Sequence, residues 1–133
     1  MRDLHNNVEV AVALTATAVS TNTTTVGAII DLQDRDACEF VIHASGYGAG
    51  TYTPLIETGD EANLSDAAAV ADTHLLGTEA GAALTANGVS KVGLVAHSGK
   101  RYARLSIVST GTGGSPNGVT ISASAVIGPL NRS

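Results

Sequence analysis

The segment 119–127 constrains the fold more than any other part of the chain. Val119, Ile121, Ala123, Ala125 and Ile127 alternate with Thr120, Ser122 and Ser124. Successive side chains of a strand point to opposite faces, so this period of two makes one apolar and one polar face, a pattern that a helix cannot hold on one side. The same period recurs elsewhere. Val8, Val10, Val12 and Leu14 fall on one face, with Glu9, Ala11 and Ala13 on the other. Cys38, Phe40, Ile42 and Ala44 alternate with Glu39, Val41 and His43, and Ala103, Leu105 and Ile107 alternate with Tyr102, Arg104 and Ser106. Val92, Leu94 and Ala96 form a further face, 26–31 is a short apolar run ending in an acid, and 51–57 is another strand. Pro54 inside that strand points to an edge or a bulge, because proline has no N–H to give a ladder. The chain holds 13 Val, 7 Ile and 15 Thr, β-branched residues that suit a pleated surface better than a helix.

Turn chemistry separates the runs. Gly46-Tyr47-Gly48-Ala49-Gly50 joins the third and fourth strands, Ser98-Gly99-Lys100 is a hairpin signal, and 111–118 is a Gly/Ser/Pro/Asn loop before the last strand. Asn117-Gly118 suits a tight turn at the start of that strand. The stretch 58–88 is different, being rich in Ala, Asp, Glu, Asn and Thr. Within it 65–71 reads equally as a capped helical turn after Ser65-Asp66 or as a strand of small residues, and Leu75-Leu76 is expected to pack on the core. With 133 residues the chain has room for one core. The expectation is all-β: an N-terminal arm over 1–7, then one domain over 8–133. That domain is an antiparallel β-sandwich or jelly roll of about seven or eight strands with a long Ala/Asp-rich connection.

Composition excludes several functions. Charged residues are 14% and hydrophobic residues 44%, the reverse of a disordered chain. A net charge of −5 opposes a nucleic-acid footprint, and 3% aromatic residues leave little for stacking bases or sugars. The start of the chain lacks the charged-then-apolar order of a signal peptide, and no apolar stretch approaches the ~18 residues of a membrane helix. A soluble protein with neither nucleic acid nor membrane as partner is therefore expected. The single cysteine, Cys38, allows no internal disulfide. Small domains without disulfides or metals often gain stability by oligomerising or docking.

No catalytic set emerges. His5, His43, His74 and His97 show no i, i+4 spacing and no HExxH. Cys38 opens an apolar strand and reads as a buried structural thiol. Neither Gly-rich loop ends in Lys-Ser or Lys-Thr ahead of a helix, so both read as turns and not phosphate loops. The carboxylates at Glu57, Asp60, Glu61 and Asp66 do not match a calcium loop and read as a solvated acidic loop. Three glycosylation sequons, starting at Asn22, Asn63 and Asn131, carry weight only in a secreted eukaryotic chain. Lys100, Arg101 and Arg104 form the one basic cluster. Arg101 and Arg104 sit at odd and even positions, so they are expected on opposite strand faces, one pairing with the acidic loop and the other reaching a partner. The expectation is no enzyme, no metal and no cofactor.

Several segments together resemble a family of small bacteriophage and prophage proteins, found among virion structural proteins and encoded near the major capsid protein. Met1-Arg2-Asp3-Leu4-His5-Asn6-Asn7 looks like their opening. Ile30-Asp31-Leu32-Gln33-Asp34 with Cys38-Glu39-Phe40-Val41-Ile42, then Gly50-Thr51-Tyr52-Thr53-Pro54-Leu55-Ile56-Glu57, are similar to family strands. Leu75-Leu76-Gly77-Thr78 and Lys91-Val92-Gly93-Leu94-Val95 follow in order. The most distinctive piece is Lys100-Arg101-Tyr102-Ala103-Arg104-Leu105-Ser106-Ile107-Val108-Ser109, and Val126-Ile127-Gly128-Pro129 closes the match. Relatives tend to carry a Ser-Asp-Asp-Gly turn and a Trp after the acidic loop, where this chain has Thr58-Gly59-Asp60-Glu61-Ala62-Asn63-Leu64.

The resemblance implies a virion component, and within that class a capsid decoration or cement protein. Such a protein would be made in the host bacterial cytoplasm and placed on the outer surface of the head. Its partners would be the major capsid protein and copies of itself, a homotrimer being favoured. The expected assembly contacts are Arg2, Asp3, Leu4, His5 and Asn6 of the arm, with Arg101, Tyr102 and Arg104. The alternatives are a head-completion or tail component, or a virion-displayed glycan- or receptor-binding module.

Overall fold

Alternating apolar residues become the inner faces of two antiparallel sheets in the computed structural model, which describes residues 8–32, 35–95, 100–112 and 118–130. Among these residues nine strands form: β1 (Glu9–Val19), β2 (Thr24–Asp31), β3 (Arg35–Ser45), β4 (Thr51–Gly59), β5 (Ala68–Ala69), β6 (Leu75–Leu76), β7 (Gly88–Val95), β8 (Tyr102–Thr110) and β9 (Val119–Leu130). Seven are long. The two extra ones, β5 and β6, have two residues each and lie in the Ala/Asp-rich connection. Residues 65–71 are therefore a turn running into a short strand, and a single 3-10 turn (Asp72–His74) follows. No side chain at 66–71 larger than Val70 is available to give a helix an apolar stripe.

The first sheet has the order β1-β9-β3-β7-β6 and the second β2-β8-β4-β5. The pairings nest: β1 with β9, β2 with β8, β3 with β7 and β4 with β5. That nesting is a jelly roll, a long antiparallel ribbon rolled into two sheets. It corrects one turn reading. Lys100 does not close a hairpin, because β7 belongs to the first sheet and β8 to the second, so the chain crosses between sheets there. Turn residues signal a reversal and say nothing about which sheet receives the next strand.

Both sheets share one core. Phe40, Ile42, Val92, Leu94, Ile121 and Ala125 from the first sheet and Tyr52, Ile56, Leu105 and Ile107 from the second are completely buried. Large residues oppose small ones across the ladder, Phe40 beside Ala125 and Ile42 beside Ala123, which fills the layer without a second large aromatic on β9. In β1 the period-two reading fails partway. A register shift between Val12 and Leu14 turns the strand, so Ala13 and Leu14 are both buried while Val10 and Val12 lie on the outer face. A second shift, between Val26 and Ile29 in β2, brings Gly27 against the carbonyls of Ala13 on β1 and Leu105 on β8. The two sheets meet at this corner.

The connection 60–87 seals the opposite side. Tyr52 exchanges backbone hydrogen bonds with Leu84 (3.0 and 2.8 Å), Val70 N–H donates to the Ile56 carbonyl (3.0 Å), and Ile56 N–H donates to the Glu79 carboxylate (2.6 Å). Tyr52 and Ile56 thus turn their backbone groups away from β8, and by the alternation of an antiparallel ladder Pro54 does the same. Proline stands on the outer edge of β4, where its missing donor costs no ladder bond. Leu75 is buried and packs on the core as expected, whereas Leu76 is exposed over Gly93.

Candidate functional site

Charge is segregated along the strands. One end of the jelly roll carries the termini of β2 and β4 and the start of β8. Three pairs interlock there. Arg101 donates two hydrogen bonds to Asp31 (both 2.9 Å), Lys100 donates to Asp60 (3.0 Å), and Arg104 donates to Glu57 (3.0 Å). The Arg101 guanidinium also lies 5.0 Å from the centre of the Tyr102 ring, close enough for a cation–π contact. Asp66 ties the acidic loop, accepting the N–H groups of Asp60 (2.9 Å) and Glu61 (3.2 Å). These bonds, that from Asp60 first, hold its carboxyl below the usual aspartate range. The structure therefore gathers Arg101, Tyr102 and Arg104 at one end, and both arginines are ion-paired within the chain. Arg104 pairs with Glu57 of the acidic group, as expected of one arginine, and Lys100 reaches Asp60 beside it, whereas Arg101, expected to reach a partner, is engaged by Asp31. Arg2, Asp3, Leu4, His5 and Asn6 lie outside the described residues.

The other end carries no charged side chain among the described residues. Moving from it along the sheets, the first charged side chains among the described residues are Lys91, opposite Val41, and Glu79, beside Ile56. Its loops are bound to one another instead by neutral hydrogen bonds. Ser109 Oγ donates to the Thr23 carbonyl (2.8 Å) and accepts the Thr23 N–H (3.2 Å). Thr112 Oγ1 donates to the Ser20 carbonyl (3.1 Å), and Gly48 N–H donates to the Gly118 carbonyl (2.7 Å). Tyr47 and Tyr52 pack edge to face at 6.2 Å, and their hydroxyls donate to the carbonyls of Gly50 and Ala49. Gly46 and Gly50 have φ of 63° and 109°, which makes this loop dependent on glycine. An open recess of about 190 Å³ is lined by Ala18, Val19, Ser20, Gly46, Gly118, Val119 and Thr120.

Groups with chemical potential stand apart from these ends. Cys38 is buried, and burial together with the nearby Glu39 pushes its thiol up to about 12, far from a nucleophilic thiolate. His43 is exposed on β3 and His74 is exposed at the 3-10 turn. His5 and His97 lie outside the described residues. Among the described residues no three His, Cys, Asp or Glu side chains come together as a metal site.

Sequence reasoning missed a third feature, the outer face of the first sheet. Val10, Val12, Leu76 and Val89 are exposed there by 55–64%. The alternation placed the valines on one face but could not say that this face looks outward. The bulge decides that.

The architecture places the chain in a class before any relative is considered: two-sheet jelly rolls, which include viral capsid and lectin domains. No family model matches the chain, and no curated protein does. Among solved structures it is similar to the SPBc2 prophage-derived protein YomS, with a TM-score of 0.50 and 13% identity. The match covers 91% of this chain and 93% of that one. At that identity the likeness is one of fold.

Proposed function

We propose that this chain is a phage virion structural protein, a non-enzymatic decoration protein that docks on the outer head shell and bridges capsid subunits. The observation that carries the reading is the jelly roll it shares along nearly its whole length with a prophage-derived protein. The whole-chain resemblance of its segments to small phage virion proteins supports the same reading. So does the division of the molecule into a charged end and a neutral one. The charged end holds Arg101 and Arg104 in place through ion pairs, with the Tyr102 ring against the Arg101 guanidinium. Preorganised groups lose little freedom on docking. Repeated contacts over a shell then add through effective concentration, and binding only the assembled shell stabilises it by mass action. The test is deletion and add-back. Particles made without this chain should disassemble at lower temperature, and the purified chain should bind them and restore the parent value. Particles of unchanged stability that do not bind the added chain overturn the proposal.

A second reading rests on the neutral end, whose bound loops and recess suit a neutral polar ligand such as a host glycan. Binding of the isolated chain on a glycan array would favour it over decoration.

A further inference from the structure

We propose that the outer face of the first sheet is a two-fold interface on which a second copy of this chain packs face to face, with Glu39 of each copy meeting Lys91 of the other. The argument starts from exposure. Of the six large apolar side chains exposed among the described residues, Val10, Val12, Leu76 and Val89 share this face. Register places them together. Val10 stands beside Val126, Val126 beside Glu39, Glu39 beside Gly93 and Gly93 beside Leu76 in one row. Val12, Ser124, Val41 and Lys91 make the next row, and Ser122, His43 and Val89 the one after. Val10 and Val12 adjoin Val126 and Val41 at one edge of the sheet, and Leu76 and Val89 stand near the other edge across Glu39 and Lys91. Exposed apolar surface gathered on one face and interleaved with polar groups marks an interaction surface.

Charge selects the occupant. The chain carries −5, so copies repel one another over most of their surface. Across these three rows the charged side chains are one acid, Glu39, and one base, Lys91, which balance. They stand on adjacent strands in neighbouring rows, and neither closes an ion pair with the other. A two-fold axis lying in the face between them carries each onto the place opposite its counterpart, the reciprocity an isologous interface requires. Glu39 is already partly withdrawn from water: burial raises its carboxyl above the usual glutamate range, the charge of Lys91 in the same chain offsets part of that rise, and its oxygens lie close over Gly93. Such a carboxylate gains most from a lysine delivered by a neighbour. Size is adequate. Four long strands at about 4.8 Å spacing and about eight residues at about 3.3 Å project ~500 Å² before side-chain relief, close to the ~600 Å² per partner at the lower end of specific interfaces.

The interface is a property of the isolated chain and does not rest on the virion reading, so a monomeric chain that still decorates particles overturns only this inference. The test uses the purified full chain in light scattering after gel filtration and in sedimentation equilibrium. The expected result is a dimer. Val12→Lys and Val89→Lys should each weaken association at least about tenfold, while Val26→Lys on the other sheet leaves it unchanged, with circular dichroism confirming that all three are folded. Glu39→Lys and Lys91→Glu should each weaken it, and mixing these two variants should restore dimers, because each supplies the charge the other lacks. Restoration on mixing cannot come from contacts within one chain. A monomer at all concentrations, a trimer insensitive to Val12→Lys, or two weakened charge variants that fail to associate when mixed overturns the proposal.

Discussion

Replacing Gly27 by alanine tests the corner where the two sheets meet. A β-carbon at this position overlaps the carbonyl oxygens of Ala13 on β1 and Leu105 on β8. Neither can swing away as a side-chain tip could, since each belongs to a strand held in a ladder. Overpacking a core usually costs about 1–3 kcal/mol, and a clash with two backbones at once belongs at the upper end. An unfolding entropy of about 2.1 cal/mol/K per residue gives ~0.28 kcal/mol/K for a chain of 133 residues. A loss of about 3 kcal/mol therefore lowers Tm by ~11 °C. Gly46→Ala is the control. Gly46 has nothing within 4 Å of an added β-carbon but a φ of +63°, so it carries only the left-handed backbone cost of about 1–2 kcal/mol. Differential scanning calorimetry on both variants decides. Gly27→Ala should be the less stable of the two. A Gly27→Ala protein that melts within about 2 °C of the parent would refute the closed corner and with it the account of the β1 and β2 bulges.

Two further outcomes follow from the charges and the thiol. Glu57→Ala strands the Arg104 guanidinium, whose side chain is only 20% exposed, and should cost about 2 kcal/mol in chemical denaturation; Asp60→Ala breaks an open surface pair and should move Tm by less than about 2 °C. The Cys38 thiol, raised from 9.0 to about 12 in the fold, ionises first in the unfolded chain. Its contribution to stability is thus complete below pH 9 and is lost as pH climbs towards 12. Denaturation of the parent against Cys38→Ala across this range should show the parent losing ground, and a thiol reagent at pH 8 should label the native chain far more slowly than the unfolded one.

What could be read from the sequence was what is local. The period of two in 119–127 became β9, and the strand faces around Cys38 and Leu105 became core. Pro54 marked an edge that the structure displays. What could not be read depends on distant parts of the chain. The bulge after Val12 answers to the corner formed with Gly27, so alternation alone aligned Leu14 with the wrong neighbours. Arg101 pairs with a carboxylate 70 residues away and Arg104 with one 47 residues away, separations at which spacing says nothing about partners. Residues 65–71 read equally as a helical turn or a strand because the connection 60–87 covers an edge through backbone bonds, the Glu79 carboxylate and a few scattered apolar side chains such as Val70, Leu75 and Leu84, which set no period. The candidate interface was hidden for the same reason as the bulge: Val10 and Val12 look like core residues until the turn of the strand places them outside.

The most direct test of decoration is the copy number of this chain in purified virions, measured by quantitative mass spectrometry against the major capsid protein. Decoration of the shell predicts hundreds of copies per particle in a fixed ratio to the capsid subunit. A handful of copies, or none, contradicts it.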